Sequence, residues 1–270
     1  MRQNSSRANS KLDAGFPYDE ETGRWWLERS TDAAHRRAYK NIAAFIQNSF
    51  VRLPKVIVDY ACGAGNLIFL LSCCFPFSKL VGLDGSSLLL GSAMRRFSRL
   101  PRSRAGRISL IETALPSIDL LRAQADLVVF CFPNMVHSSA GPEMKSWTTC
   151  LSKDDREIAE SLAQGEDAHV LMQSRCISLN LRQLLLWGGI CVRVEYATMQ
   201  RHELSRPELL QVSFEEGSLD FPVQGRKPRQ WFRVLASAYF RSQVLEDVYQ
   251  QTGDDRDRNG GYLITVLRAI

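Results

Sequence analysis

The stretch that most constrains this chain is Val56-Ile57-Val58-Asp59-Tyr60-Ala61-Cys62-Gly63-Ala64-Gly65-Asn66, followed by the apolar run Leu67 to Phe75. A short β-branched segment feeds a turn of small residues, and the turn opens a helix. Gly63 and Gly65 permit positive φ and close backbone approach to a ligand. Free N–H groups at the start of the helix suit an anionic group. The same texture recurs downstream. Leu80 to Asp84 is a second short apolar run ending in an acid, and Ser86 to Phe97 reads as a helix. Arg107 to Ile111, Leu127 to Phe132 and Gly189 to Tyr196 predict a third, fourth and fifth strand, with Trp231 to Ala236 and Tyr262 to Leu267 as the last two. Strands alternating with helices form βαβ units, and near-continuously apolar strands are those covered on both faces. The expected class is α/β, with a seven-stranded, mostly parallel sheet and helices on both faces.

Residues 1–15 are polar and are expected to form a mobile tail. From Tyr18 to Phe50 the spacing of Trp25, Trp26, Ala33, Ala34, Ala38, Ile42, Phe45 and Ile46 predicts helix. Two stretches fit the alternation poorly, about 138–186 and 201–229. Ligands of open α/β sheets bind outside the carboxyl ends of the strands, and insertions near that edge commonly form lids. Residues 16–50 are therefore expected to be an N-terminal helical cap, and 51–270 the main domain with two cap insertions; insertions without a role are the alternative.

The chain has 270 residues, 45% hydrophobic and 23% charged, which excludes wholesale disorder. Its longest apolar run, Leu67 to Phe77, is broken by Ser72 and Pro76 and is too short to span a bilayer. The N-terminus has no apolar segment of the secretory kind. Seven cysteines occur without C-x-x-C or His/Cys clustering, which argues against structural zinc. Cys73 and Cys74 are expected to be buried on a helix, and the cysteines to be reduced in a cytoplasmic protein. The net charge is +5. Arg95, Arg96, Arg99, Arg102, Arg104 and Arg107 raise nucleic acid as a partner, but they fall at the edge opposite the glycine turn, and a solvated helix face is the preferred reading.

The turn matches neither common nucleotide loop. A Walker loop needs a lysine that is absent, and the third position of G-x-G-x-x-G is Ile68. D-x-A-C-G-A-G after V-I-V instead resembles motif I of the class I S-adenosylmethionine-dependent methyltransferases, with Ala61 in place of the first glycine. Asp84 follows Gly63 by about twenty residues, as the ribose-binding acid of such folds does. Glu112 ends the third strand in I-E-T-A-L-P, Asp126 opens the fourth, and Leu186-Trp187-Gly188-Gly189 matches an L-x-G-G turn before the fifth. The resemblance covers about residues 51–270. It implies a Rossmann-like fold and S-adenosyl-L-methionine as cofactor, held by Asp59, Ala61, Gly63, Gly65, Asp84, Gly85, Glu112, Thr113 and Phe132.

Methyl transfer from a sulfonium needs alignment, and a proton acceptor if the nucleophile carries a proton. Phe132-Pro133-Asn134 stands where amino-group methyltransferases often carry N-P-P-Y, so that substrate class is not implied. Asn134, His137 and Tyr196 are the catalytic candidates; Asn134 also reads as a turn residue after proline. Glu195 alone could join a metal site, so no metal is expected. Three functions compete: a methyltransferase acting on a small, natural-product or amino-acid-like acceptor, a cyclase that closes the cofactor's own chain into azetidine-2-carboxylate, and a non-catalytic cofactor-binding protein. A nucleic-acid methyltransferase is a further alternative that the placement of the arginines disfavours.

Overall fold

The computed structural model describes residues 20–50, 52–113, 115, 122–132, 151–162, 166–198, 230–244 and 260–270. Tyr18, Asn134, His137 and the stretch 201–229 lie outside them. Strands β1 (Val56–Tyr60), β2 (Lys79–Asp84), β3 (Ile108–Glu112), β4 (Ala125–Cys131), β5 (Leu185–Thr198), β6 (Phe232–Arg241) and β7 (Gly260–Ala269) form one sheet in the order β3-β2-β1-β4-β5-β7-β6. The first five are parallel, and β7 lies antiparallel between β5 and β6. From β1 the chain winds outward to β2 and β3, then returns to place β4 on the other side of β1. The crevice at the carboxyl ends of β1 and β4 is thus the topological switch point, where such sheets bind ligands.

The described helices are α1 (Glu20–Arg29), α2 (Ala33–Ser49), α3 (Asn66–Cys74), α4 (Ser87–Phe97), α5 (Arg102–Ala105), α6 (Lys153–Leu162) and α7 (Glu166–Leu184). Side chains of a strand alternate between faces, and both faces of the central strands are covered. Ile57, Leu80, Leu127, Val129, Val192 and Val194 pack with Ala38, Ile42 and Ile46 of α2 and Leu67, Ile68 and Leu71 of α3. Val58, Tyr60, Val128, Phe130 and Cys191 pack on the opposite face with residues of α6 and α7. Burying each large aliphatic side chain contributes roughly 1.5–3 kcal/mol. At the amino edge, Asp126 accepts from Lys55 N at 2.8 Å and Val56 N at 2.9 Å, which ties the start of β4 to β1.

Several expectations change. The helical stretch 18–50 is broken after Arg29. The hydroxyls of Ser30 and Thr31 bond back to the Leu27 and Glu28 carbonyls, and Asp32 accepts from His35 N at 2.7 Å as the cap of α2. The stretch 138–186 is not a lid throughout, because α7 is the crossover onto β5, and Leu171, Met172, Cys176, Ile177, Leu181 and Leu184 belong to the core. Buried Arg175 pairs with Asp155 of α6 and lies 4.1 Å over the Trp231 ring. The L-x-G-G segment is inside β5, at a register irregularity against β4, with Gly188 at φ 75°. β5, β6 and β7 are all longer than the sequence predicts. Cys73 is exposed and Cys74 half-buried, because Leu67, Ile68 and Leu71 take the inner face of α3. Cys176 is disulfide-bonded, which corrects the expectation of uniformly reduced cysteines and removes its support for a cytoplasmic location. No helix among the described residues is long and apolar enough to cross a membrane.

Close packing dictates one glycine. Gly65 caps α3 at φ 69°, and a Cβ there would stand 2.7 Å from Phe97 Cζ and 3.0 Å from Ala93 Cβ of α4. Gly65→Ala should therefore lower the unfolding free energy by about 1–3 kcal/mol, from backbone strain and overpacking together. Urea denaturation measures it, and an unchanged midpoint would contradict this packing.

Candidate functional site

At the switch point the chain turns through an elbow. Ala61, Gly63 and Gly65 all have positive φ, 60°, 52° and 69°. A non-glycine residue in that region stores strain of order 1–3 kcal/mol, a cost that tends to cluster at working sites. Three hydrogen bonds hold the elbow: Cys62 N to Leu83 O at 2.9 Å, Gly65 N to Cys62 O at 3.0 Å, and Gly63 N to Asp84 Oδ2 at 2.7 Å. Asp84 Oδ1 accepts from Ser86 N at 2.9 Å, and Ser86 in turn caps α4. Each Asp84 oxygen therefore holds one of these backbone donors, and a carboxylate has further lone pairs to offer. A Cβ built on Gly63 would meet nothing nearer than Leu89 Cδ1 at 3.9 Å, so the elbow is approachable there.

Asp59, at the end of β1, is 2% exposed, and its Oδ2 has no hydrogen-bond partner. Burial chiefly, and then the charge of Asp84, push its pKa up to about 8, against a pull from the Ile68 N–H. Burial also raises Asp84, opposed by the N–H groups of Ser86, Gly63 and Gly85. Two buried carboxyl groups with spare acceptor capacity thus flank the elbow, a setting that favours a cationic or hydroxyl-rich ligand. Glu112 is exposed and stands in register beside Asp84, and Thr113 N donates to Asp84 O at 3.0 Å. Gly85 lies next to Thr113, whose carbonyl oxygen would be 3.5 Å from an added Cβ.

At the ends of β4 and β5 the site becomes aromatic. Phe132 is buried with φ 50°, and its N–H donates to Val194 O at 2.8 Å. Tyr196 stacks on it with ring centroids 4.6 Å apart, and Tyr39 and His35 meet it edge-on at 5.8 and 5.6 Å. Fully buried His35 joins two partners. Its Nδ1 is 2.8 Å from Asp32 Oδ2, and its Nε2 is 2.8 Å from the Tyr196 hydroxyl. Asn66 fixes the α1–α2 junction over the elbow, donating to Ser30 O at 3.1 Å and accepting from Arg96.

The structure thus brings Asp59, Ala61, Gly63, Gly65, Asp84 and Gly85 to one elbow, Glu112 and Thr113 to the neighbouring strand end, and Phe132 and Tyr196 to the far side. Asp32 and His35 are absent from the sequence-level candidates. The spacing Asp32-x-x-His35 carries a cap signal, but nothing local connects it to Tyr196. Glu195 is bonded to Arg193, and no metal-binding group of side chains occurs among the described residues.

No protein-family model matches the chain. Two Acidovorax proteins, from strain JS42 and from A. ebreus TPSY, each named trans-aconitate 2-methyltransferase, are 42% identical over 74 residues. That match spans 27% of this chain and only 28% of the length of those relatives. Among solved structures, geranyl diphosphate C-methyltransferase from Streptomyces coelicolor A3(2), in complex with Mg2+, geranyl diphosphate and S-adenosyl-L-homocysteine, aligns with TM-score 0.55 at 10% identity, covering 96% of this chain and 88% of that one. A glycopeptide N-methyltransferase aligns with TM-score 0.50 at 13% identity, covering 85% and 89%. The fold is that of the class I methyltransferases.

Asp59 makes stability depend on pH in a stated direction. Its folded-state pKa of about 8 lies above the ordinary 3.8, so between those values the folded chain holds the proton more tightly than the unfolded one. This group's contribution to stability therefore falls as pH rises from about 4 to about 8. Asp59→Asn should remove that fall, gaining stability relative to wild type between pH 5 and pH 8. Urea titrations at several pH values measure it, and a constant difference across that range would contradict the placement of Asp59.

Proposed function

We propose that the chain is an S-adenosylmethionine-dependent methyltransferase with a small-molecule acceptor, natural-product or amino-acid-like. The observation that carries the reading is the approachable elbow at Gly63, flanked by Asp84 and by the orphaned buried Oδ2 of Asp59. The chemistry of this set fits the cofactor. Asp84, with Gly85, would take the ribose hydroxyls, and Glu112 and Thr113 the adenine. The segment from Asp59 through Ala61 and Gly63 to Gly65 would hold the amino-acid end, its ammonium charge drawing the Asp59 proton off. Phe132 would wall the sulfonium. When bound, the cofactor supplies an electrophilic methyl group. The chain's own part is alignment and exclusion of water, with Tyr196 facing the acceptor and with Asn134 and His137, which follow β4 in the sequence, as further candidates. A small acceptor is favoured over nucleic acid because Arg96, Arg104 and Arg107 spend their guanidinium groups on Asn66, Cys73 and the Phe75 and Ser78 carbonyls.

Incubating the protein with S-adenosylmethionine, alone and with a panel of polycarboxylates including trans-aconitate, amino acids, hydroxylated small molecules and isoprenyl diphosphates, tests the reading. S-adenosylhomocysteine formed only with an acceptor is expected. Methylthioadenosine formed without one would contradict methyl transfer and point to attack by the cofactor's own amine. In calorimetry, Asp84→Ala should weaken cofactor binding by about 1.5–3 kcal/mol per lost charged hydrogen bond; an unchanged affinity would contradict the assignment.

A further inference from the structure

We infer that Asp32, His35 and Tyr196 form a proton relay that receives the proton of the attacking group of the acceptor. The role assigned to it rests on the methyltransferase reading, whereas its hydrogen bonding does not. A carboxylate only accepts, so Asp32 Oδ2 at 2.8 Å places a hydrogen on His35 Nδ1. The neutral imidazole then has its lone pair on Nε2, and the Tyr196 hydroxyl at 2.8 Å donates to it. A phenol hydroxyl is an acceptor as well as a donor. Tyr196 is half-buried at the carboxyl end of β5 and stacked on Phe132, at the same sheet edge as the elbow.

Capping α2 does not need this arrangement. Asp32 Oδ1 caps the helix alone by accepting from His35 N. The second oxygen, the buried imidazole and the phenol are additional to the cap, and an apolar side chain would fill the place of His35 beside Phe132.

The proton accounting closes. The X–H proton of the acceptor passes to Tyr196 Oη as the Tyr196 proton passes to His35 Nε2, and the X–H electron pair stays on X as the nucleophile. Asp32 stabilises the imidazolium so formed; once the methylated product leaves, Nε2 returns a proton to Tyr196 Oη as the Tyr196 proton passes to water entering the vacated acceptor place, which restores the hydrogen on Nδ1 and the lone pair on Nε2. Tyr196 is the residue that meets the acceptor; His35 and Asp32 act through it. An acceptor attacking through a carboxylate oxygen brings no proton and needs no relay, so the arrangement selects a hydroxyl, an amine or a carbon acid. Among the described residues, the titratable and charged groups around His35 are Asp32 at the cap of α2, Tyr39 on α2 and Tyr196 on β5. Cys131 on β4, Asp59 on β1 and Arg96 on α4 act on Tyr39.

The test uses the full chain labelled with 15N-histidine, with S-adenosylhomocysteine as probe. At neutral pH, His35 should show a protonated Nδ1 and a bare Nε2. Asp32→Asn, which still caps the helix, should move the Nδ1 resonance. Tyr196→Phe, which keeps the stack on Phe132, should move the Nε2 resonance. With a panel acceptor that turns over, Tyr196→Phe and His35→Gln should each lower kcat by roughly a hundredfold with little change in KM for the cofactor. A proton on Nε2 with Nδ1 bare, an Nδ1 resonance indifferent to Asp32→Asn, or full kcat in Tyr196→Phe would overturn the relay. Failure of S-adenosylhomocysteine to bind by calorimetry would instead sink the methyltransferase reading and leave the tautomer measurable. Binding with the wrong tautomer sinks the relay alone.

Discussion

The hydrogen bond from Gly63 N to Asp84 Oδ2, 2.7 Å long, is the contact on which the site depends. It ties the elbow after β1 to the end of β2, across two strands brought side by side by parallel pairing. With the bond in place, the backbone of the turn is held open, α3 starts behind its Gly65 cap, and the second Asp84 oxygen can receive the start of α4 through Ser86. One carboxylate therefore orients two helix starts and one strained turn. Taking that carboxylate out of water raises its proton affinity, and the backbone donors offset part of the cost.

A second constraint comes from α2. The helix covers the sheet with its apolar stripe of Ala38, Ile42 and Ile46, and its first turn reaches the carboxyl edge. The break at Ser30 to Asp32 makes that reach possible. A continuous helix would carry no free carboxylate at the cap, and His35 would have no partner on its Nδ1 side. The N-terminal segment is thus both a layer of the core and a wall of the site. A polar chain from Asp32 to Tyr196 runs among the rings of Phe132 and Tyr39, where an unsatisfied group would be costly.

Residues close in sequence were legible, and residues joined only by the fold were not. The elbow, Asp59 and Asp84 could be read because a strand, a small-residue turn and a helix are contiguous, and because the acid at the end of β2 falls at a regular distance. The apolar strands gave the sheet and its parallel core. His35 and Tyr196 are 161 residues apart, and only the packing of α2 over β5 brings them together. α7 was hidden for a different reason. Gln173, Ser174, Arg175, Ser178 and Asn180 are buried polar residues that interrupt its apolar periodicity, and Arg175 is matched by Asp155 on α6 rather than by solvent. Cys73 and Cys74 were misplaced because a run of apolar residues does not say which of them a short helix turns inward.

A crystal structure of the chain grown with S-adenosylhomocysteine tests the role of the elbow most directly. The nucleoside should lie at the carboxyl ends of β1 and β4, its ribose hydroxyls on Asp84 and its ammonium group on the Asp59 side. A nucleoside bound elsewhere, or an elbow closed over its own side chains at saturating ligand, would contradict it.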